Sequence, residues 1–588
     1  VADFGDWGAW ENAPHLVEYA INDIEYLLVI RDQQLVEAEA FGMTSLVNLE
    51  NAILKEIPLM ELRGVYYDTE AAKKFESYVC ERRDILGQEI FTHLGKSWDK
   101  YWWKEYSRRM GLHTAWKVEH EKIVAESNKL RDSVDRRRKT QEALEMVEKS
   151  KKKMPFSSLP KLESEFNPRS PLKLQKALSG VMGIEIFTTR KEWLEENTHL
   201  HPVLEDLVEH RKFEKLAQFC EVKDKVNPKT GRIHGRIRKM GTDSGRMSHS
   251  EPNTAQIPAR SEEGREFRAL FKPEKGNKFV QADFAGIELV ILADASNEIS
   301  LIEAINRGDD IHCFTMSIIL NCPYEILVSI KKGEEISEND GSLFVKCLER
   351  FTSSFNLPDL AKSSSHTDWV NKLRDYLKTL TYGTAYGLSE FGLMTKFHCT
   401  LETARAFIKV FFDAYPNLGR FLKTTGELGL QRLYALNNFG RRRYFKVPKM
   451  KSYQEVEAEE MKALDKQKRV WSSVSEEEWE EIIKEALDRA KREYRSRVNS
   501  IKRRSANFYP QSCSADMIKL AIFLFNRDYT GEGGLILCIH DELIAEVPNK
   551  DVEKASACMK SSMERAGQRF VKHCKIEVVP KVLERWSK

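Results

Sequence analysis

Apolar and polar positions along this chain follow two periods. A helical period of about 3.6 residues runs through residues 59–75 and on to about Gly95, and a second helix carries Leu204, Leu207 and Val208 inward. Ser170 followed by Pro171 reads as a helix start, since a hydroxyl can cap free amides and proline fits the first helical position. Within residues 450–500, Ser475 and Glu478 spell a capping box, and Trp479, Ile482, Ile483, Ala486, Leu487, Ala490 and Tyr494 fall on one stripe. Short apolar runs predict strands at residues 279–282 and on either side of His540, Asp541 and Glu542, the latter pair reading as a hairpin with acids at its turn. No internal repeat is present.

At 588 residues the chain is well beyond the size of one core, so three or more structural units are expected. No run approaches the eighteen or so apolar residues of a membrane span, which leaves a soluble reading. The net charge of +3, from 93 basic against 90 acidic residues, diagnoses no partner by itself, and only local clustering can steer a phosphate backbone. Residues 97–165 are highly charged, with Arg136, Arg137, Arg138 and Lys139 and then Lys151, Lys152 and Lys153, and read as exposed helix plus linker. Residues 325–368, with Ser363, Ser364 and Ser365, read as a polar segment. Ten cysteines without a C-x-x-C pair argue for reduced thiols and against a zinc module. The chain starts at Val1 without a secretion signal and is expected to be a fragment.

Two groups of residues carry candidate chemistry. Asp283 ends one predicted strand and Asp541 sits between two others. Either acid alone is more commonly a helix cap or a solvated turn. On adjacent strands they would suit a pair of magnesium ions, which bind one or two carboxylates and fill the remaining positions with water and substrate phosphate. In "KLRDYLKTLTYGTAYG", Arg374, Lys378, Tyr382 and Tyr386 recur every four residues and form one slanted helical stripe. The basic pair can hold a triphosphate and the rings a sugar and a base, although such residues are also ordinary core and surface positions. Gly383 and Gly387, costly inside a helix, point to close approach or a bend.

In order, "SGRMSHSEPNTAQIP", "DFAGIELVILA", the helix from Arg374 to Tyr386, "FGRRRYF", "NFYPQSCSADMIKLA" and "CIHDELIAEVP" resemble the signature segments of the family of DNA polymerase I. The resemblance covers roughly residues 50–588, including the final "RWSK". It implies an α/β (α+β) class: a right-hand polymerase fold with an antiparallel palm sheet and largely helical thumb and fingers. The implied division is 1–50 as the tail of a 3′-to-5′ exonuclease-like domain, 51–240 as thumb with its charged insertion at 97–165, and 241–320 as the first part of the palm. Residues 321–499 become fingers, with insertions near 325–368 and 450–500, and 500–588 the second part of the palm.

The resemblance also implies roles. Asp283 and Asp541 become metal ligands for two Mg2+ ions, with Mn2+ able to substitute, and Lys378 joins them as a catalytic residue. Arg374, Lys378, Tyr382, Tyr386, His312 and Glu288 become the dNTP site, with Glu288 as the steric gate against a ribose 2′-hydroxyl. Arg246 and Gln511 correspond to minor-groove readers of the acceptors shared by correct base pairs. Asn507, Asn253, His540 and Glu542 join them as DNA contacts, and Arg211 and Lys215 as contacts to the duplex backbone that position without specifying. Phe284, Ala285 and Gly286 depart from the usual bacterial Tyr, Ser and Gln, and Gly286 is similar to phage replicative members. Tyr382 stands where many bacterial members carry Phe, which implies ready use of dideoxynucleotides.

"EYAINDIEYLL" resembles the last motif of the family's proofreading domain, with Tyr19 and Asp23 in the corresponding places, and without the earlier motifs no proofreading is expected. The alternative is one face of a capped helix. The implied partners are primer-template DNA and dNTPs, with a processivity or replisome partner considered for the thumb insertion beside the plainer reading of a solvated helical hairpin. A monomer is expected, away from membranes and inside a cell: cytoplasm or nucleoid, host cytoplasm for a phage, or an organelle. Two rivals remain, a single-subunit RNA polymerase and a catalytically silent replisome component that binds primer-template.

Overall fold

The computed structural model describes residues 24–131, 167–259, 261–355, 357, 360, 363–385, 388–445, 453–468 and 475–587. The chain divides into two units, Asp68–Asp224 and a second formed by Val1–Tyr67 with Lys225–Lys588.

The unit Asp68–Asp224 is helical. Pro171–Met182 and Pro202–Cys220 pack on the long helix Thr69–Arg131, and Ile90, Leu94, Leu174, Leu178, Leu204 and Leu207 fill the core between them. The long helix does not end near Gly95. Beyond that point the apolar period fades into charged residues, but no proline intervenes, and lysine, glutamate and arginine are good helix formers. Ser170 and Pro171 do start a helix, yet the Ser170 hydroxyl makes no capping bond. The basic runs at 136–139 and 151–153 lie outside the described residues.

In the other unit, α1 (Thr44–Arg63) stops at Gly64, whose φ of 59° ends the helical period expected to run through residues 59–75. Residue 50 lies inside α1. Then come β1 (Asn277–Asp283), α2 (Ile287–Ser296), α3 (Ile299–Arg307), α4 (Ile311–Leu320), α5 (Tyr324–Lys332), α6 (Glu338–Ser354) and α7 (His366–Ala385). After them follow α8 (Tyr453–Lys468), α9 (Glu476–Asp528), β2 (Gly534–Ile539), β3 (Glu542–Pro548), α10 (Val552–Gln568) and β4 (Lys581–Leu583).

The four strands form one antiparallel sheet in the order β4-β1-β3-β2. β2 is buried along its whole length and β3 up to its last residue, so β2 reads as a continuous apolar run rather than an alternating one, while β3 buries Glu542 and Glu546 among its apolar residues. Helices α1, α9 and α10 cover the sheet. The segment expected to be a polar insertion instead folds largely as α5 and α6. Phe344, Cys347 and Phe351, at helical spacing among polar neighbours, join Trp369, Leu373 and Leu377 of α7 in the main core. Helices α8 and α9 form a hairpin with its own small core of Leu464, Trp479 and Ala486, and the Ser475–Glu478 capping box is made in full.

Candidate active site

Strand register decides the first group of residues. β1 ends at Asp283, and Gly286 takes a left-handed φ of 61° that lets α2 begin at once. β2 and β3 are joined by the two-residue turn His540–Asp541, with Ile539 paired to Glu542. His540 holds φ at 55°, a conformation that costs a residue with a side chain about 1 kcal/mol. Pairing of β1 with β3 sets Asp283 opposite Glu542, and the Phe284 amide donates to the Asp541 carbonyl at 3.1 Å. The two aspartates, distant in sequence, are thereby neighbours.

Their surroundings are electrostatically loaded. Burial pushes the Asp541 carboxyl pKa up and nearby Asp283 adds to the rise, while Arg246, His540 and the Ser514 hydroxyl oppose it. Glu288, buried in the first turn of α2, is ion-paired to Arg246. Burial raises its pKa too, with Asp541 contributing and Arg246 opposing. Arg246 therefore serves two carboxylates. Glu542 is buried and accepts a hydrogen bond from the Trp586 indole at 3.3 Å. Trp586 is itself enclosed, edge-on to Phe271 at 5.5 Å and under the Arg268 guanidinium at 4.3 Å. The motif "RWSK" gave no hint of that anchoring role.

Helix α9 brings Asn507, Gln511 and Ser514 to the same region, since the Ser514 hydroxyl bears on Asp541 and also donates to the Gln511 carbonyl at 3.1 Å. Asn253 begins the short turn Thr254–Gln256, and its buried side-chain oxygen makes no hydrogen bond among the described residues.

The second group gathers on α7. Trp369, Val370, Leu373, Leu377 and Leu380 face the core, which leaves Arg374 half-buried and Lys378 exposed one turn apart. Arg374 donates to one Asp310 oxygen at 3.1 and 3.0 Å, and Lys331 reaches the same oxygen at 2.7 Å. The other oxygen caps α4, accepting from the amides of His312 at 3.0 Å and Cys313 at 3.2 Å. Burial works against the Asp310 carboxylate, but Lys331, Arg374 and the Cys313 amide outweigh it and hold its pKa far below the usual range. His312 is buried, and desolvation with Arg374 and Lys378 nearby drives its ring pKa down to about 4. Asp310 is not among the candidates read from the sequence, although an acid just before the apolar run of α4 was the available signal. Packing of α2 on α3, α3 on α4, and α4 on α7 links the two groups.

Tyr382 lies in α7, but its side chain is not among those described, and Tyr386, Gly387, Tyr19 and Asp23 lie outside the described residues. Gly383 meets close approach: the Leu388 amide donates to its carbonyl at 2.6 Å, and a Cβ there would stand 2.8 Å from the Leu388 side chain. In the unit Asp68–Asp224, Arg211 donates to the Thr189 carbonyl at 2.6 Å, whereas Lys215 is exposed. No group of three or more His, Cys, Asp or Glu residues among those described is placed to hold a metal ion.

Comparison with known proteins matches this arrangement to a family. The model of DNA polymerase family A matches residues 137–331 and 360–588, well over half of the chain. DNA polymerase I of Chloroflexus aurantiacus is 29% identical over 415 residues, covering 68% of this chain and 35% of that protein. A thermostable DNA polymerase I of Thermus thermophilus is 28% identical over 376 residues, covering 63% and 35% respectively. The chain thus spans about a third of the length of these relatives. Among solved structures, the POL domain of Pol1 from M. smegmatis, in complex with DNA primer-template and dNTP, has the same fold at a TM-score of 0.64 and 20% identity, over 95% of this chain and 74% of that one. The largely helical chain with its antiparallel sheet is the α/β polymerase fold expected from the motifs, and the chain belongs to DNA polymerase family A.

Proposed function

We propose that this chain is a template-directed DNA polymerase that adds dNTPs to a primer 3′ end by two-metal phosphoryl transfer, in replication or repair. The observation that carries the reading is the juxtaposition of Asp283 and Asp541 by the β1–β3 register and the bond from Phe284 to Asp541. Two neighbouring carboxylates, one exposed and one raised in pKa by burial and by its neighbour, form a set of oxygen donors. That fits Mg2+ or Mn2+, which need few protein ligands when water and phosphate supply the rest. Bound there, two such ions would supply activation of the primer 3′-hydroxyl and charge neutralisation on the phosphates.

The remaining assignments follow the same division. Arg374 and Lys378 grip the triphosphate, with His312 beside them as a neutral ring. Tyr382 and Tyr386 take the sugar and the template-base position. Glu288, held by Arg246, blocks a 2′-hydroxyl, while Arg246, Gln511, Asn507 and Asn253 face the minor groove at the terminal pair. His540 and Glu542 support the primer end, and Arg211 and Lys215 contact the duplex backbone. The division into palm, fingers and thumb, the exonuclease-like tail and a partner at the 97–165 insertion belong to this reading, as does an intracellular site of action. No described helix is long and apolar enough to cross a membrane.

Primer extension with dNTPs and then rNTPs tests the proposal. The chain should extend with dNTPs, and Asp283→Ala or Asp541→Ala should abolish extension while duplex affinity, which rests on phosphate contacts, persists. Extension with rNTPs alone would identify an RNA polymerase, and binding without extension a silent replisome component. Deleting 97–165 without change in processivity would remove the partner role. Dideoxynucleotides should be incorporated readily, and Tyr382→Phe should exclude them.

A further inference from the structure

α8 and the first part of α9, before Asn507, have no role in the chemistry above, yet the charge there is sorted along the helix. Helix α9 opens with three glutamates, 476–478, whereas residues 489–504 carry eight basic side chains and a single acid, Glu493. Part of that charge is engaged locally: Arg489 faces Glu460 at 3.7 Å, Arg497 faces Glu493 at 3.8 Å, and Lys491 lies 6.0 Å from the Tyr453 ring. Arg492 and Arg495 are exposed and make no ion pair among the described residues.

With about 100° between successive residues, Arg492, Arg495, Arg503 and Asn507 share a face of α9. The opposite side buries Ala490, Ile501 and Phe508. The same face leads on to Ser514, which bears on Asp541. At about 1.5 Å per residue, Arg492 stands roughly 33 Å along the helix from Ser514, the length of about ten base pairs of B-DNA.

We infer that Arg492 and Arg495 bind the sugar-phosphate backbone of double-stranded DNA about ten base pairs behind the primer end, making the hairpin a second clamp on the duplex. A duplex presents a phosphate every ~1.7 Å of axis, so the stretch of α9 from Arg492 to Asn507, which holds no proline, meets charge at successive turns when laid along it. Glu481, Glu485 and Asp488 continue the face beyond Arg492 and are exposed, so like charge marks the far limit of contact. The inference rests on the polymerase reading.

The test compares the full chain with R492Q/R495Q on primer-templates whose paired region is either about five base pairs, closed by a hairpin, or about twenty, too short and long enough respectively to reach Arg492. Anisotropy across a salt series reads affinity and its salt slope. On the long duplex the substitutions should weaken binding several-fold and reduce the slope by about two, and on the short one both proteins should bind alike. R492K/R495K, which keeps the charge, should restore the slope, an outcome a packing role for the arginines would not produce. Equal slopes on the long duplex, an equal loss on the short one, or a loss confined to single-stranded DNA would overturn the inference. Failure of the unsubstituted chain to bind or extend any primer-template would instead overturn the polymerase reading.

Discussion

At the scale of single residues, burial shifts the titration of groups around the site. The His312 ring titrates near pH 4 in the folded chain, against about 6.5 when unfolded. The unfolded state therefore binds more protons between those values, so this residue's contribution is present above pH 6.5 and lost as pH falls towards 4. Urea melts should show stability dropping across that window by about 3 kcal/mol at most on its account, and His312→Gln should flatten the slope. An unchanged slope would show that the ring protonates freely. Glu288 is equally specific: Glu288→Ala should raise rNTP incorporation relative to dNTP by about tenfold or more, read from single-nucleotide kcat/KM ratios. No change in the ratio would remove its role as a gate.

Elements are tied together by single carboxylates. Asp310 caps α4 while its second oxygen joins α5 through Lys331 and α7 through Arg374. Asp310→Asn should cost about 1.5–3 kcal/mol of stability, as expected for charged hydrogen bonds, and raise the dNTP KM by about tenfold with a smaller change in kcat. A normal KM in a destabilised variant would confine Asp310 to a structural role. The capping box of α9, the strands around Asp283 and Asp541 and the stripe of α7 were legible because each is a local pattern. The helical core of residues 324–354 was not, because its apolar positions are diluted by polar neighbours until α7 supplies the surface they pack on.

Across the whole unit, a buried ionic cluster joins distant parts of the chain. Arg441 of "FGRRRYF" bonds Asp516 at 2.6 and 2.9 Å and also pairs with Glu50, which Lys519 reaches at 2.5 Å. Asn437 completes the Asp516 shell at 2.8 Å. Glu50, Asp516, Arg441 and Lys519 are almost unexposed, with Lys239 at 3.9 Å from Glu50 on the edge of the cluster, so removing an inner member strands its partner. Asp516→Ala should cost about 3–5 kcal/mol in equilibrium unfolding, and a cost below about 1 kcal/mol would mean that water reaches the cluster.

The sequence by itself determined the elements that bear the chemistry, since strand ends, helical stripes and caps depend on residues near one another in the chain. It also carried the family, because the motifs keep their order. Only the tertiary structure decided who meets whom. The neighbourhood of Asp283 and Asp541 follows from strand register, the pairing of Arg246 with Glu288 from packing around α2, and the anchoring of Glu542 by Trp586 from the end of the chain returning to the sheet. Contacts between residues hundreds of positions apart leave no periodic trace, and desolvation, which pushes the Asp541 carboxyl up and the His312 ring down, exists only once the chain has closed around them.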